Sequence, residues 1–228
     1  IAISRAAVLN QLEGVERTLA SVGAQITAEL LYGNRVLDRL LALHEDSLRN
    51  VAQQRLKQGA FFLKKAKTPD DYREAGEIFQ RGVDEDPTIL EGQYGLGVAA
   101  EGMGNIAEAK KRFRNVVRLA DEGKKDLVIA SWLNLAKLEE ATGNFPNAVE
   151  ADEAALHHDP LNSDLKFKLA RLLATSGLAE RAEEMLLALI DENFDVLYQL
   201  KSELGFTRDF LIRVYKKVLA SKGRNKGG

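Results

Sequence analysis

The chain has 228 residues, 45% apolar and 29% charged, the composition of a folded chain rather than a disordered one. Its 32 basic and 34 acidic residues leave a net charge of −2, so the dense basic field that selects nucleic acid is missing and no nucleic-acid partner is expected. There is no cysteine, which excludes disulfides and thiolate metal sites, and no run of the roughly eighteen apolar residues a membrane-spanning helix needs, so membrane association is not expected either. Ile1 in first position fits a processed or trimmed chain, cytoplasmic or, if a leader was removed, secreted or displayed at the cell surface.

Residues 1–51 read as one long amphipathic helix. Val8, Leu12, Val15, Leu19, Val22 and Ile26 alternate spacings of four and three, which is a heptad seam for oligomerisation or capping. The phase breaks at Glu29 and Gly33, and the stripe resumes through Leu30, Leu37, Leu41 and Leu48. Gly14, Gly23 and Gly33 each cost about 1 kcal/mol of helix stability relative to alanine, so this seam needs cover. The cover is the rest of the chain, a second copy, or a lipid surface. The last is disfavoured because lysine is absent from the first fifty residues.

Four helix pairs follow, over 52–89, 90–128, 129–162 and 163–194. In the first, Gly59 is the small packing residue, Thr68 or Asp70 caps the second helix, and Pro69 suits its first turn. That helix carries Tyr72, Ala75, Ile78, Phe79 and Val83 and stops at Asp86-Pro87. The second pair has Leu96-Gly97, a turn at Gly104-Asn105, then Ala109, Phe113 and Leu119. Asp121 to Val128 adds five residues, with 123–126 expected as a surface loop. The third pair has Trp132, Leu135 and Ala136, a turn at Gly143-Asn144, Ala148 and Asp159-Pro160; the fourth has Leu169, Ala170 and Leu173, a turn at Gly177, Ala182 and Leu186. Residues 195–220 form capping helices. One is a short helix with Val196, Leu197 and Leu200 that ends at Gly205. The last carries Phe206, Phe210, Leu211, Val214, Tyr215 and Leu219 on its apolar face. A basic, glycine-rich tail, 221–228, is expected to be floppy when free.

The turn and small residues recur at a fixed interval. Gly143 and Gly177, Ala75 and Ala109, and Ala148 and Ala182 each lie 34 residues apart. With Trp132, Leu135, Ala136, Ala148 and Pro160 in one pair, and Leu96, Gly97, Ala109 and Phe113 in another, the stretch 52–194 resembles the tetratricopeptide repeat (TPR) family. The fold class is therefore all-α. The resemblance implies a right-handed TPR-type α-solenoid of about four helix pairs, with the long N-terminal amphipathic helix before it and a C-terminal capping helix after it. Two positions depart from the family pattern. Asp152 stands where an aromatic is usual and Glu139 where tyrosine is common, and both are expected to weaken the third pair's core; Asp152 is expected near the rim or, alternatively, satisfied by a cation or a neighbouring element.

The resemblance also implies an inner groove lined by the first helix of each pair. By register its partner-binding residues are Tyr94 and Val98, then Leu133, Asn134 and Lys137, then Phe167, Lys168 and Arg171. Asn134, Lys137, Lys168 and Arg171 together make a basic corner suited to a carboxylate. The carboxylate clamp that some family members use for chaperone tails is not reproduced, since Leu56, Ala60, Gly95 and Ala130 occupy its places. His157 and His158 end a helix, where cationic imidazoles suit the helix dipole; they do not make a metal site. No catalytic constellation, cofactor site or metal site is found. The function expected is a non-enzymatic protein–protein interaction scaffold, a structural subunit that assembles with copies of itself or with a second protein into an oligomer or filament. The alternatives are a monomeric adaptor holding a linear, acidic peptide in the groove, and the regulatory or targeting part of a longer chain.

Overall fold

The computed structural model describes residues 33–40, 51–192, 196, 200 and 206–224. The heptad seam Val8, Leu12, Val15, Leu19, Val22 and Ile26 lies outside the described residues. So do Leu197, the helix end at Gly205 and the tail from 225 onward. Every regular element among the described residues is helical. They fall into two compact units, one within residues 29–159 and one containing 160–228.

In the first unit, residues 33–40 form α1, followed by α2 (Val51–Lys65), α3 (Pro69–Glu85), α4 (Leu90–Gly102), α5 (Ile106–Leu119), α6 (Lys125–Ala141) and α7 (Phe145–His158). Helices α2 and α3, α4 and α5, and α6 and α7 are the hairpin pairs; α3 also packs on α4, and α5 on α6. Thr68 caps α3. Its hydroxyl accepts from the Asp71 N–H at 3.3 Å, and the Asp71 carboxylate accepts from the N–H groups of Lys67 and Thr68, both at 2.9 Å. These two backbone donors hold the Asp71 carboxyl below its ordinary range.

The first and second helices of the pairs differ in kind. Helix α3 is amphipathic, burying Ala75, Gly76, Phe79, Gly82 and Val83 along one stripe, and α5 likewise buries Ala109, Phe113 and Val116. Helices α4 and α6 are buried almost all round. In α6, Leu127 to Ser131 are five consecutive buried residues, followed by Leu133, Leu135, Ala136, Leu138 and Glu139. Small residues make this possible. A Cβ on Gly95 would stand 2.4 Å from the Phe79 ring of α3, and one on Gly97 would stand 2.7 Å from the Phe113 ring of α5. Helix α4 therefore accepts a phenyl ring on each side, and both rings are fully buried. The tight turns within the pairs place Gly104, Gly143 and Gly177 at φ between +75° and +83°, a conformation that side chains disfavour.

The insertion after α5 differs from a simple loop. Glu122–Lys124 is a short 3₁₀ turn, α6 already begins at Lys125, and Lys124 pairs with Glu91 of α4. The two departures from the family pattern also resolve differently from expectation. Asp152 is not at the rim but 3% exposed. Glu139 is equally buried, yet it accepts from Lys110 at 2.7 Å, Arg114 at 2.8 Å and Asn144 at 3.3 Å. It clamps α5 to α6 rather than weakening the core, because two cations one turn apart on α5 meet one carboxylate.

The second unit contains α8 (Ser163–Thr175), α9 (Ala179–Glu192) and α10 (Arg208–Arg224). Asn162 caps α8 by accepting from the Leu165 N–H at 3.1 Å, and Lys166 reaches both Glu192 oxygens at 2.9 and 3.0 Å. Helix α10 buries Phe210, Val214 and Val218, with Phe206 stacked on Phe210 at 5.2 Å. Leu219, expected on the buried face, is 71% exposed, and Val218 takes the core position. Arg213 and Lys217 of α10 flank the buried Glu183 of α9. The helix continues into the expected tail as far as Arg224.

Replacing Gly95 with valine would drive two γ carbons into the Phe79 ring. The expected cost is about 2 kcal/mol, which lowers the thermal unfolding midpoint by about 4–8 °C. A circular dichroism melt at wild-type temperature would contradict the packing described for α3 and α4.

A candidate protein-binding face covered by helix α1

Helices α2, α4 and α6 touch in sequence and form one face of the first unit. This is the face on which Tyr94, Val98, Leu133, Asn134 and Lys137 were placed by register. Helix α1 lies against all three of its helices. Asp38 pairs with Lys64 of α2, a Cβ on Gly33 would stand 3.0 Å from the Tyr94 hydroxyl of α4, and Arg39 lies 2.9 Å from Asp126 of α6. Gly33, Val36, Leu37 and Leu40 fall on one helical stripe. Val36 is 2% exposed, Leu37 9% and Leu40 0%, while Asp38 and Arg39 lie in the open. Eight helical residues alone are marginal in water, and this burial stabilises them. The glycine that weakens α1 as a helix is also what lets it approach the Tyr94 hydroxyl closely.

Tyr94 is consequently buried, its ring tilted against Phe113 at 5.6 Å, and its hydroxyl accepts from the Asn134 side-chain amide at 3.1 Å. Burial pushes its phenol ionisation well above the usual range; the Asn134 hydrogen bond opposes this and the nearby Glu101 charge adds to it. Leu133 is buried, Val98 half-buried, and exposed Lys137 pairs with Glu101 at 2.6 Å. In the second unit, Phe167 meets Phe206 edge to face at 6.0 Å. Lys168 and Arg171 are 6% and 9% exposed, so neither is the solvated side chain that an open basic corner needs. Helix α1 covers the face that the register assigned to a partner. The signal for it was present in the 33–40 stripe and in the lack of a polar stripe on α4 and α6.

The remaining polar features are structural. Partial burial, then the charges of His157 and Lys125, lower the His158 pKa, so its environment opposes the cationic form expected at the helix end. Among the described residues no three His, Asp or Glu side chains converge as metal ligands, and no helix is long and apolar enough to cross a membrane.

Tetratricopeptide repeat models match residues 94–151 and 139–204. The chain is a tetratricopeptide repeat protein, and its fold is that of a protein-interaction scaffold. Among solved structures, YrrB, a TPR protein with an unusual peptide-binding site, is similar at 16% identity, covering 69% of this chain and 84% of its own, with a TM-score of 0.46. TTC0263, a thermophilic TPR protein in Thermus thermophilus, is similar at 17% identity, covering 74% of this chain and all of its own, with a TM-score of 0.44. A search of curated proteins finds no match to the sequence.

The seating of α1 has an optical readout. In a spectrophotometric titration of the folded chain, Tyr94→Phe should leave the phenolate amplitude gained up to about pH 11 unchanged, because Tyr94 does not ionise there. Its contribution should be lost only from the amplitude that accompanies unfolding. Loss of one phenolate's worth of signal below that pH would mean that Tyr94 is open to water.

Proposed function

We propose that this chain is a non-enzymatic scaffold that holds an amphipathic helical segment of another protein on the face made by α2, α4 and α6. The observation that carries this reading is the seating of α1, which buries Val36, Leu37 and Leu40 and meets charged side chains at both edges of that face. An apolar centre with a charged rim is the usual composition of a protein interface. The short helix already present indicates what the face accepts. A helix fits this seat better than the extended acidic peptide considered from sequence, because Lys168 and Arg171 are buried rather than presented.

Selection from a displayed library of random 15-residue peptides tests this. Enriched sequences should be helical, with apolar residues at positions i, i+1 and i+4, and Leu133→Glu should abolish their capture. Enrichment that survives Leu133→Glu would place binding elsewhere.

Self-assembly is the second reading, supported by Ile212 and Leu219, which are 41% and 71% exposed on the outer face of α10. Sedimentation velocity separates the two. A concentration-independent mass near 25.2 kDa favours the helix-binding scaffold. A larger species that collapses on Ile212→Glu with Leu219→Glu would make assembly the function.

A further inference from the structure

We infer that α1 is a resident pseudo-ligand, and that the protein partner of this face is a helix carrying the same five-residue chemistry, which binds by displacing α1. The inference rests on the helix-binding function proposed above. Three features of α1 carry it. The first is the run Val36-Leu37-Asp38-Arg39-Leu40, in which the apolar residues are buried and the charged doublet stays at the surface. The second is polarity. The acid of the doublet meets Lys64 at one edge of the face and the base meets Asp126 at the other. The third is that the two pairs lie on different helices, α2 and α6, so the face reads the order of acid and base along a bound helix.

Those edge pairs are exposed on the α1 side, with Asp38 65% and Arg39 62% accessible. Exposed pairs contribute little affinity, but reversing them sets like charges together, so they select among helices rather than anchor them. The apolar contacts hold whichever helix is seated. An incoming helix therefore needs two adjacent apolar residues, an acid, a base and a further apolar residue, in that order. It also gains access only as α1 leaves, because both occupy the same surface.

The test uses the full chain and a fluorescein-labelled synthetic peptide of residues 30–44, followed by fluorescence anisotropy. Leu37→Asp with Leu40→Asp should release α1 and raise the peptide's affinity at least tenfold over the wild-type chain. Arg39→Glu, at an exposed position that leaves the core intact, should raise it by about threefold. On the released chain, a peptide with Asp38 and Arg39 exchanged should bind about tenfold more weakly. Adding Lys64→Glu and Asp126→Arg to the released chain should reverse that preference. If the peptide binds wild-type and both release variants equally, α1 does not occupy the binding surface and the inference is overturned while the helix-binding function stands. If neither release variant binds the peptide, both fail. If exchanging the doublet changes nothing, the reading of charge order is wrong.

Discussion

The phenyl ring of Phe79 is the contact on which the first unit depends. It lies between Gly59 of its own pair and Gly95 of the next, tight against the first and closer to the second than a side chain there would allow. Phe113 of the next pair makes a contact of the same kind with one glycine, Gly97 of its own pair. A second helix that offers a ring and a first helix that offers a glycine can stack only in one order and at one spacing. That converts a local residue choice into a propagating array in which stability comes from neighbouring interfaces. It also has a cost, since a first helix gripped from both sides retains no polar stripe of its own. The face that α2, α4 and α6 turn away from their partners has an apolar part, on which α1 buries Val36, Leu37 and Leu40.

Among the described residues, the buried polar or charged residues of the first unit are Ser131, Glu139 and Asp152. Glu139 sits within reach of two cations on α5, and it bridges α5 to α6, two helices with no glycine–phenyl contact of the α4 type between them. A carboxylate held by two cations and an amide keeps the geometry directional where apolar packing alone would permit sliding. Removing the carboxylate would strand Lys110, whose side chain is only 14% exposed.

The repeat was legible in the sequence because turn glycines and small residues obey spacing rules that depend only on the local chain. Thr68 and Asn105 were readable as a cap and a turn for the same reason. What escaped depended on partners distant in sequence. Glu139 looked like a defect until Lys110 and Arg114, 29 and 25 residues away, came beside it. Lys168 and Arg171 looked solvated because their residue type usually is, and Asp152 looked peripheral on the same grounds. Helix α1 was read as part of a longer seam whose cover had three possible identities. Nothing in a periodicity says which surface a stripe meets, although α4 and α6 are buried almost all round.

Only ten residues, 41–50, separate α1 from α2. Even fully extended, that span is roughly 35 Å, so α1 never leaves the neighbourhood of its seat. Whatever conformation those ten residues take, confinement within that distance corresponds to an effective concentration on the order of millimolar. A free helix at micromolar abundance thus faces a competitor about a thousandfold more concentrated than itself. Matching the affinity of α1 is not enough. A natural partner has to exceed it by contacts beyond the five residues, present several copies at once, or arrive already held near the protein by a second attachment. Loose helices of the right pattern are screened out by that proximity before affinity for the face is ever compared.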